Sequence, residues 1–149
     1  MLWAESARAG FTPLLPAGHR LPDPQPARMG ARLEGGEVSV FVAVVDDQLA
    51  GFVACGASRD PSPEPGVGEF QSFFVAEGHW RRGIGRGLMA AALADLRERG
   101  YAAANVWSFD ANERANAFYE MHGFARDGAE RTEEHWAHIP EVRYRRPLA

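Results

Sequence analysis

Lysine is absent from this chain: all 16 basic residues among the 149 are arginines. There is accordingly no Schiff-base lysine and no Walker-type phosphate loop, so any phosphate must be held by arginine or by backbone amides. Cysteine is nearly absent. The lone Cys55 can neither close an intramolecular disulfide nor build a Cys-rich zinc site, and its place in the apolar run GFVAC reads as a buried, inert thiol. Long apolar runs are lacking too: the opening MLWAESARAG carries Glu5, so neither a signal peptide nor a membrane span is expected and the location is expected to be cytoplasmic. Internal repeats, low-complexity tracts and signs of a second domain are also missing, so residues 1–149 read as one domain, long enough to bury a core. The net charge of −4 argues against a surface built for nucleic acid.

What is present has a clear order. Residues 2–9 and 26–34 read as weak helices joined by the proline-rich LPDPQP. The β-branched VSVFVAVV (38–45), a turn at Asp46 and Asp47, and LAGFVACG (49–56) read as a hairpin. RDPSPEPG (59–66) is a loop and VGEFQSFFV (67–75) a central strand. Leu88, Met89, Ala92, Leu93 and Leu96 then recur at helical spacing until Gly100, with Arg97 and Arg99 suited to the negative helix end. AAANVWSF (102–109) is a further strand, and a short helix follows from a cap at Asn112 to a stop at Gly123 and Phe124. The tail EVRYRRPL alternates as a last strand, with RYRRPL read as an edge of solvated arginines. The order predicts an α/β or α+β domain on a mixed sheet.

Between the central strand and its helix lies HWRRGIGRGLM (79–89), with Gly83, Gly85 and Gly87 set among Arg81, Arg82 and Arg86. A helix start offers unpaired amides and about half a positive charge, and the glycines let a ligand approach, so the loop reads as a phosphate or pyrophosphate seat. A dinucleotide fingerprint GxGxxA also fits Gly85, Gly87 and Ala90, with Asp110 about twenty residues on. Against it, AEGHWRR separates the strand from the first glycine, and the 39 residues after Asp110 are too few for the rest of such a sheet.

A second motif, NERANAFYEMHGF (112–124), sets Asn112, Ala115, Phe118, Tyr119, Gly123 and Phe124 at fixed spacing. With the FFV strand end and the RRGIG loop, the chain from about residue 37 onward resembles the GCN5-related N-acetyltransferase (GNAT) superfamily. The resemblance implies a mixed sheet that splays at the cofactor site and is flanked by helices, with acetyl-CoA as donor and an amine as acceptor. By position, Phe73, Phe74 and Val75 would meet pantetheine. Arg81, Arg82, Gly83, Ile84, Gly85 and Arg86 would seat the pyrophosphate, and Asn112, Ala115 and Phe118 would line the thiol end. The family pattern asks for Gln or Arg where this chain has Trp80, and its first helix already resembles LWAESARAGFTPLLP; a sheet one strand short, or a chain trimmed at its start, is expected.

The implied chemistry requires a base, an oxyanion donor and an acid for the leaving thiolate. Glu69, on one strand face with Gln71, is the first candidate base; His79 is the second, because histidine as a residue type suits a base near neutral pH. A backbone amide near Val75 is the oxyanion candidate, and Tyr119 the proton donor to sulfur. No metal site is expected, because His135 and His138 of EEHWAH have no further His or Cys at metal spacing; the segment reads as a loop over the acceptor pocket. The expected partner is a small-molecule amine, with neither nucleic acid nor membrane, and the expected assembly a homodimer. A protein or peptide N-terminal acetyltransferase and a non-catalytic acyl-CoA sensor remain open alternatives, since a fold does not select among them.

Overall fold

The computed structural model describes residues 14–18 and 26–148. The expected helix at residues 2–9, and the question of a missing first strand, lie outside the described residues. Helix α1 (Pro26–Glu34) leads into β1 (Val38–Val45) and β2 (Gln48–Ala57), followed by β3 (Val67–Val75), α2 (Ile84–Glu98) and β4 (Ala103–Phe109). Helix α3 (Glu113–Met121), β5 (Ala125–Arg131) and β6 (Glu141–Pro147) complete the order. Short 3-10 turns occupy Glu77–His79 and Glu134–Trp136. Among the described residues no helix is long and apolar enough to cross a membrane.

The six strands form one sheet in the order β1-β2-β3-β4-β6-β5. Asp46 and Asp47, with φ of 49° and 61°, make the β1–β2 turn. Two left-handed residues in a two-residue loop match the twist of the strands they join, and Asp tolerates that conformation. Among the described residues only β3 and β4 pair in parallel, joined by the α2 crossover, while every other neighbouring pair is antiparallel.

The apolar stripe Leu88, Met89, Ala92, Leu93 and Leu96 of α2 is buried against Val53, Cys55 and Phe70. Each buried leucine contributes roughly 1.5–3 kcal/mol. Cys55 is buried as expected, and burial, reinforced by Asp95, pushes its thiol up to about 12.

The sequence order omits one strand and misplaces another. Strand β5 (ARDGAER) is mostly exposed and has no apolar alternation to mark it in the sequence. Pairing with β6 imposes its extended form, interrupted by an irregularity between Arg126 and Glu130 where Gly128 has φ +93°. The arginine-rich tail is consequently not an edge: β6 lies between β4 and β5, and Tyr144 in it is fully buried. Its arginines are tied down by Asp60 and Asp127 on Arg143, Glu64 on Arg145, and the His122 carbonyl under Arg146.

Candidate active site

The parallel pairing of β3 with β4 runs only from Val67↔Ala103 to Phe70↔Val106. Both strands continue, β3 to Val75 and β4 to Phe109, so beyond Phe70 the sheet is split. The split begins where β3 carries an irregularity: Ala54 pairs with Ser72 and Cys55 with Phe70, leaving Gln71 between them. Such a bulge bends its strand and can end pairing with one neighbour.

Beyond the bulge, β3 still pairs with β2 on one edge, and the Ala76 amide donates to the Ala50 carbonyl at 2.8 Å. Antiparallel hydrogen bonds alternate in direction, so the amides and carbonyls of Phe73 and Val75 face the opposite edge, toward the split. The Val75 carbonyl accepts the Trp80 indole N–H at 2.9 Å, leaving the Val75 amide directed into the gap. This gives Trp80 a role that sequence reasoning lacked. Its ring also lies 3.4 Å from the Arg114 guanidinium, tying the loop before α2 to helix α3.

A cavity of about 390 Å³ fills the split. Glu69, Phe73, Phe74, Asn112, Ala115 and Tyr119 all line it, so the structure brings these sequence-expected residues together. Val75, Phe118 and the loop residues Arg81, Arg82, Gly83, Ile84, Gly85 and Arg86 lie outside that lining, as does the alternative base His79 in its 3-10 turn.

The loop ends in the first turn of α2. Its N-cap Gly83 has φ +80° and no side-chain cap, and Arg81 also takes a left-handed φ of 61°. The first intrahelical bond is Gly87 N–H to the Gly83 carbonyl, so the amides of residues 84–86 have no intrahelical partner. Arg81, Arg82 and Arg86 are exposed, and none has an ion-pair partner among the described residues. Amides, helix end and guanidinium groups of this kind could together hold an anion. Gly85 also lies close to α3: a Cβ there would meet the Phe118 ring at 3.3 Å, so the ring would have to give by a few tenths of an ångström.

Helix α3 is placed by buried hydrogen bonds. The Asn112 side chain accepts the Ala115 amide at 3.3 Å as the N-cap, and Asn116 donates to the Phe109 and Asp110 carbonyls while accepting from the Ser108 hydroxyl at 2.7 Å. At the far end Gly123 (φ +85°) and the Phe124 amide, bonded to the Tyr119 carbonyl, close the helix. Tyr119 is thereby fixed between Phe73, Phe124 and Tyr144. Its hydroxyl has no hydrogen-bond partner among the described residues, and burial drives its pKa well above the ordinary tyrosine range.

Glu69 is 1% exposed and accepts the Arg59 amide at 2.7 Å, with the Arg59 guanidinium at 3.3 Å. The wall opposite contains residues that sequence reasoning missed. Arg131 holds Glu141 through two contacts of 3.3 Å, approaches Glu133 at 3.4 Å and lies 4.2 Å from the Trp107 ring. Burial raises the Glu141 carboxyl pKa, and Arg131 opposes that rise. The signal for Arg131 was hidden because its strand was itself unreadable; Glu133, His135 and Trp136 of EEHWAH do line the cavity. Among the described residues no group of three or more His, Cys, Asp or Glu is placed to hold a metal ion.

Comparison with known proteins follows the same lines. The profile of the Acetyltransferase (GNAT) family matches residues 5–124. An uncharacterized N-acetyltransferase of Archaeoglobus fulgidus is 38% identical over 81 residues, a match spanning 54% of this chain and 55% of that relative. The chain thus aligns with about half the length of that curated relative. Among solved structures, nourseothricin acetyltransferase superposes with a TM-score of 0.68 at 27% identity, covering 77% of this chain and 68% of that one. The PaiA N-acetyltransferase of Thermoplasma acidophilum, solved in complex with coenzyme A, superposes at 0.70 with 12% identity over 98% and 88% of the two chains.

Proposed function

The chain belongs to the acetyltransferase (GNAT) family, and from that premise we propose that it transfers an acetyl group from acetyl-CoA to the amine of a small molecule by direct attack in a ternary complex. The observation that carries this reading is the split between β3 and β4, because it places an unpaired strand edge, Glu69 and Tyr119 around one cavity. The relative solved with coenzyme A shares the fold, which supports the choice of donor.

Acetyl-CoA, when bound, supplies the thioester carbonyl and a thiol leaving group. The gap-facing backbone of Phe73 and Val75 suits the amides of a pantetheine arm, and the 84–86 amides with Arg81, Arg82 and Arg86 suit a pyrophosphate. Glu69 takes the proton that an incoming ammonium must lose before its nitrogen can attack. The Val75 amide donates to the carbonyl oxygen as negative charge develops on it. Tyr119 retains its proton on Oη, because burial holds its pKa high, delivers it to the sulfur as the C–S bond breaks, and is restored by the second proton that the nitrogen sheds on becoming an amide.

A thiol reagent read against a panel of small amines in the presence of acetyl-CoA tests the reading. Amine-dependent thiol release is expected. Release only with peptide N-termini would identify a protein N-terminal acetyltransferase, and silence with tight CoA binding would identify a sensor.

The pyrophosphate seat has its own expected outcome. Gly85→Glu sets a carboxylate beside the free amides, and CoA affinity should fall tenfold or more, about 1.4 kcal/mol, in calorimetry. Gly85→Ala adds only the Cβ that presses on Phe118, and so separates crowding from charge. Unchanged CoA affinity in a folded Gly85→Glu protein would remove the pyrophosphate from this loop.

A further inference from the structure

Beside α2 runs an open groove of about 340 Å³, bounded by Arg86, Ala90 and Arg97 of α2, His122 at the end of α3, and Arg146 of β6. Four of its lining groups are basic and none is acidic, in a chain with 20 acids and a net charge of −4. By contrast, Arg59, Arg99, Arg126, Arg131, Arg143 and Arg145 all meet carboxylates. Arg86, Arg97 and Arg146 meet none among the described residues.

Two of these arginines have structural work. Arg97 Nε donates to the Leu148 carbonyl at 2.8 Å, and Arg146 Nη1 donates to the His122 carbonyl at 2.8 Å. Each bond engages one of five guanidinium N–H donors and a neutral acceptor, so charge and most donors remain available. The positive potential registers on His122, whose pKa is lowered by burial and then by Arg86 and Arg146. Leu93 and the largely exposed Met121 supply apolar surface for whatever carries the anion.

We propose that this groove is a binding site for a phosphate monoester. A compact dianion with three acceptor oxygens suits a groove lined by several guanidinium donors. The groove is continuous with the anion seat, since Arg86 belongs to both: its amide is one of the three free amides in the first turn and its side chain lines the groove. Two sources of that phosphate fit. One is the 3′-phosphate of CoA whose pyrophosphate occupies the seat, an arm that rests on the proposed function. The other is a separate phosphorylated molecule.

Calorimetry with CoA and with 3′-dephospho-CoA, on the unsubstituted chain, Arg97→Gln and Ala90→Glu, tests the site. Ala90→Glu adds an acid to the groove and removes no existing hydrogen bond. A preference for CoA of tenfold or more that collapses to under threefold in both variants establishes the cofactor's phosphate as the occupant. If CoA and 3′-dephospho-CoA bind equally, inorganic phosphate is titrated while the His122 imidazole resonances are followed. A shift in the unsubstituted chain that is lost in both variants establishes a separate phosphate ligand. A CoA preference that persists in both variants, or equal CoA binding with no response of His122 to phosphate, overturns the site. Failure of both CoA forms to bind would instead count against the proposed function, and the phosphate titration would still decide the groove.

Discussion

Glu69→Gln is expected to lower turnover at saturating acetyl-CoA and amine about a hundredfold, while acetyl-CoA affinity stays near that of the unsubstituted chain. Glutamine keeps the size of the side chain and can still accept the Arg59 amide that Glu69 holds at 2.7 Å. What it loses is the ability to take a proton. It also releases the Arg59 guanidinium, which is about half exposed and can turn to water, so the folded state should survive the exchange. Steady-state rates with a thermal melt on the same sample read both effects. Full turnover would move proton removal to solvent, because the other candidate, His79, does not line the cavity.

Tyr119→Phe should reduce turnover at least tenfold with little change in melting temperature. The ring packs between Phe73, Phe124 and Tyr144, and phenylalanine keeps all of those contacts. Only the hydroxyl disappears, and among the described residues it satisfies no protein partner, so its removal leaves no orphaned group behind. An ordinary thiol loses its proton near pH 8.5, whereas buried Tyr119 holds its proton to much higher pH; it therefore enters the reaction as a donor throughout the neutral range. The rate loss should consequently be similar from pH 6 to pH 8. A variant that melts earlier but turns over normally would make Tyr119 a core aromatic and leave protonation of the sulfur to water.

The parts of the site legible in the sequence are those governed by local chemistry. Gly83 in a left-handed N-cap, the helical spacing from Leu88 to Leu96, the Asn112 cap and the Gly123 stop each follow from neighbours a few residues away. The parts that were not legible depend on partners distant in sequence. ARDGAER has no pattern of its own and becomes β5 by pairing with β6. RYRRPL reads as a solvated edge until Asp60 and Glu64, more than eighty residues earlier, are brought against Arg143 and Arg145. Arg131, which organises the wall opposite Glu69, falls on the unreadable strand, and Trp80 acquires a purpose only when the end of β3 and Arg114 of α3 are both beside it.

The central claim is that the split between β3 and β4, together with the first turn of α2, holds acetyl-CoA. Backbone hydrogen exchange with and without saturating CoA tests it most directly, because the amides concerned are the ones the fold leaves unpaired. Slowed exchange at Phe73, Val75 and residues 84–86, with the β1–β2 turn at Asp46 and Asp47 unaffected, is the predicted result. Unchanged exchange at both the strand edge and the helix turn, under conditions where CoA is bound, would contradict it.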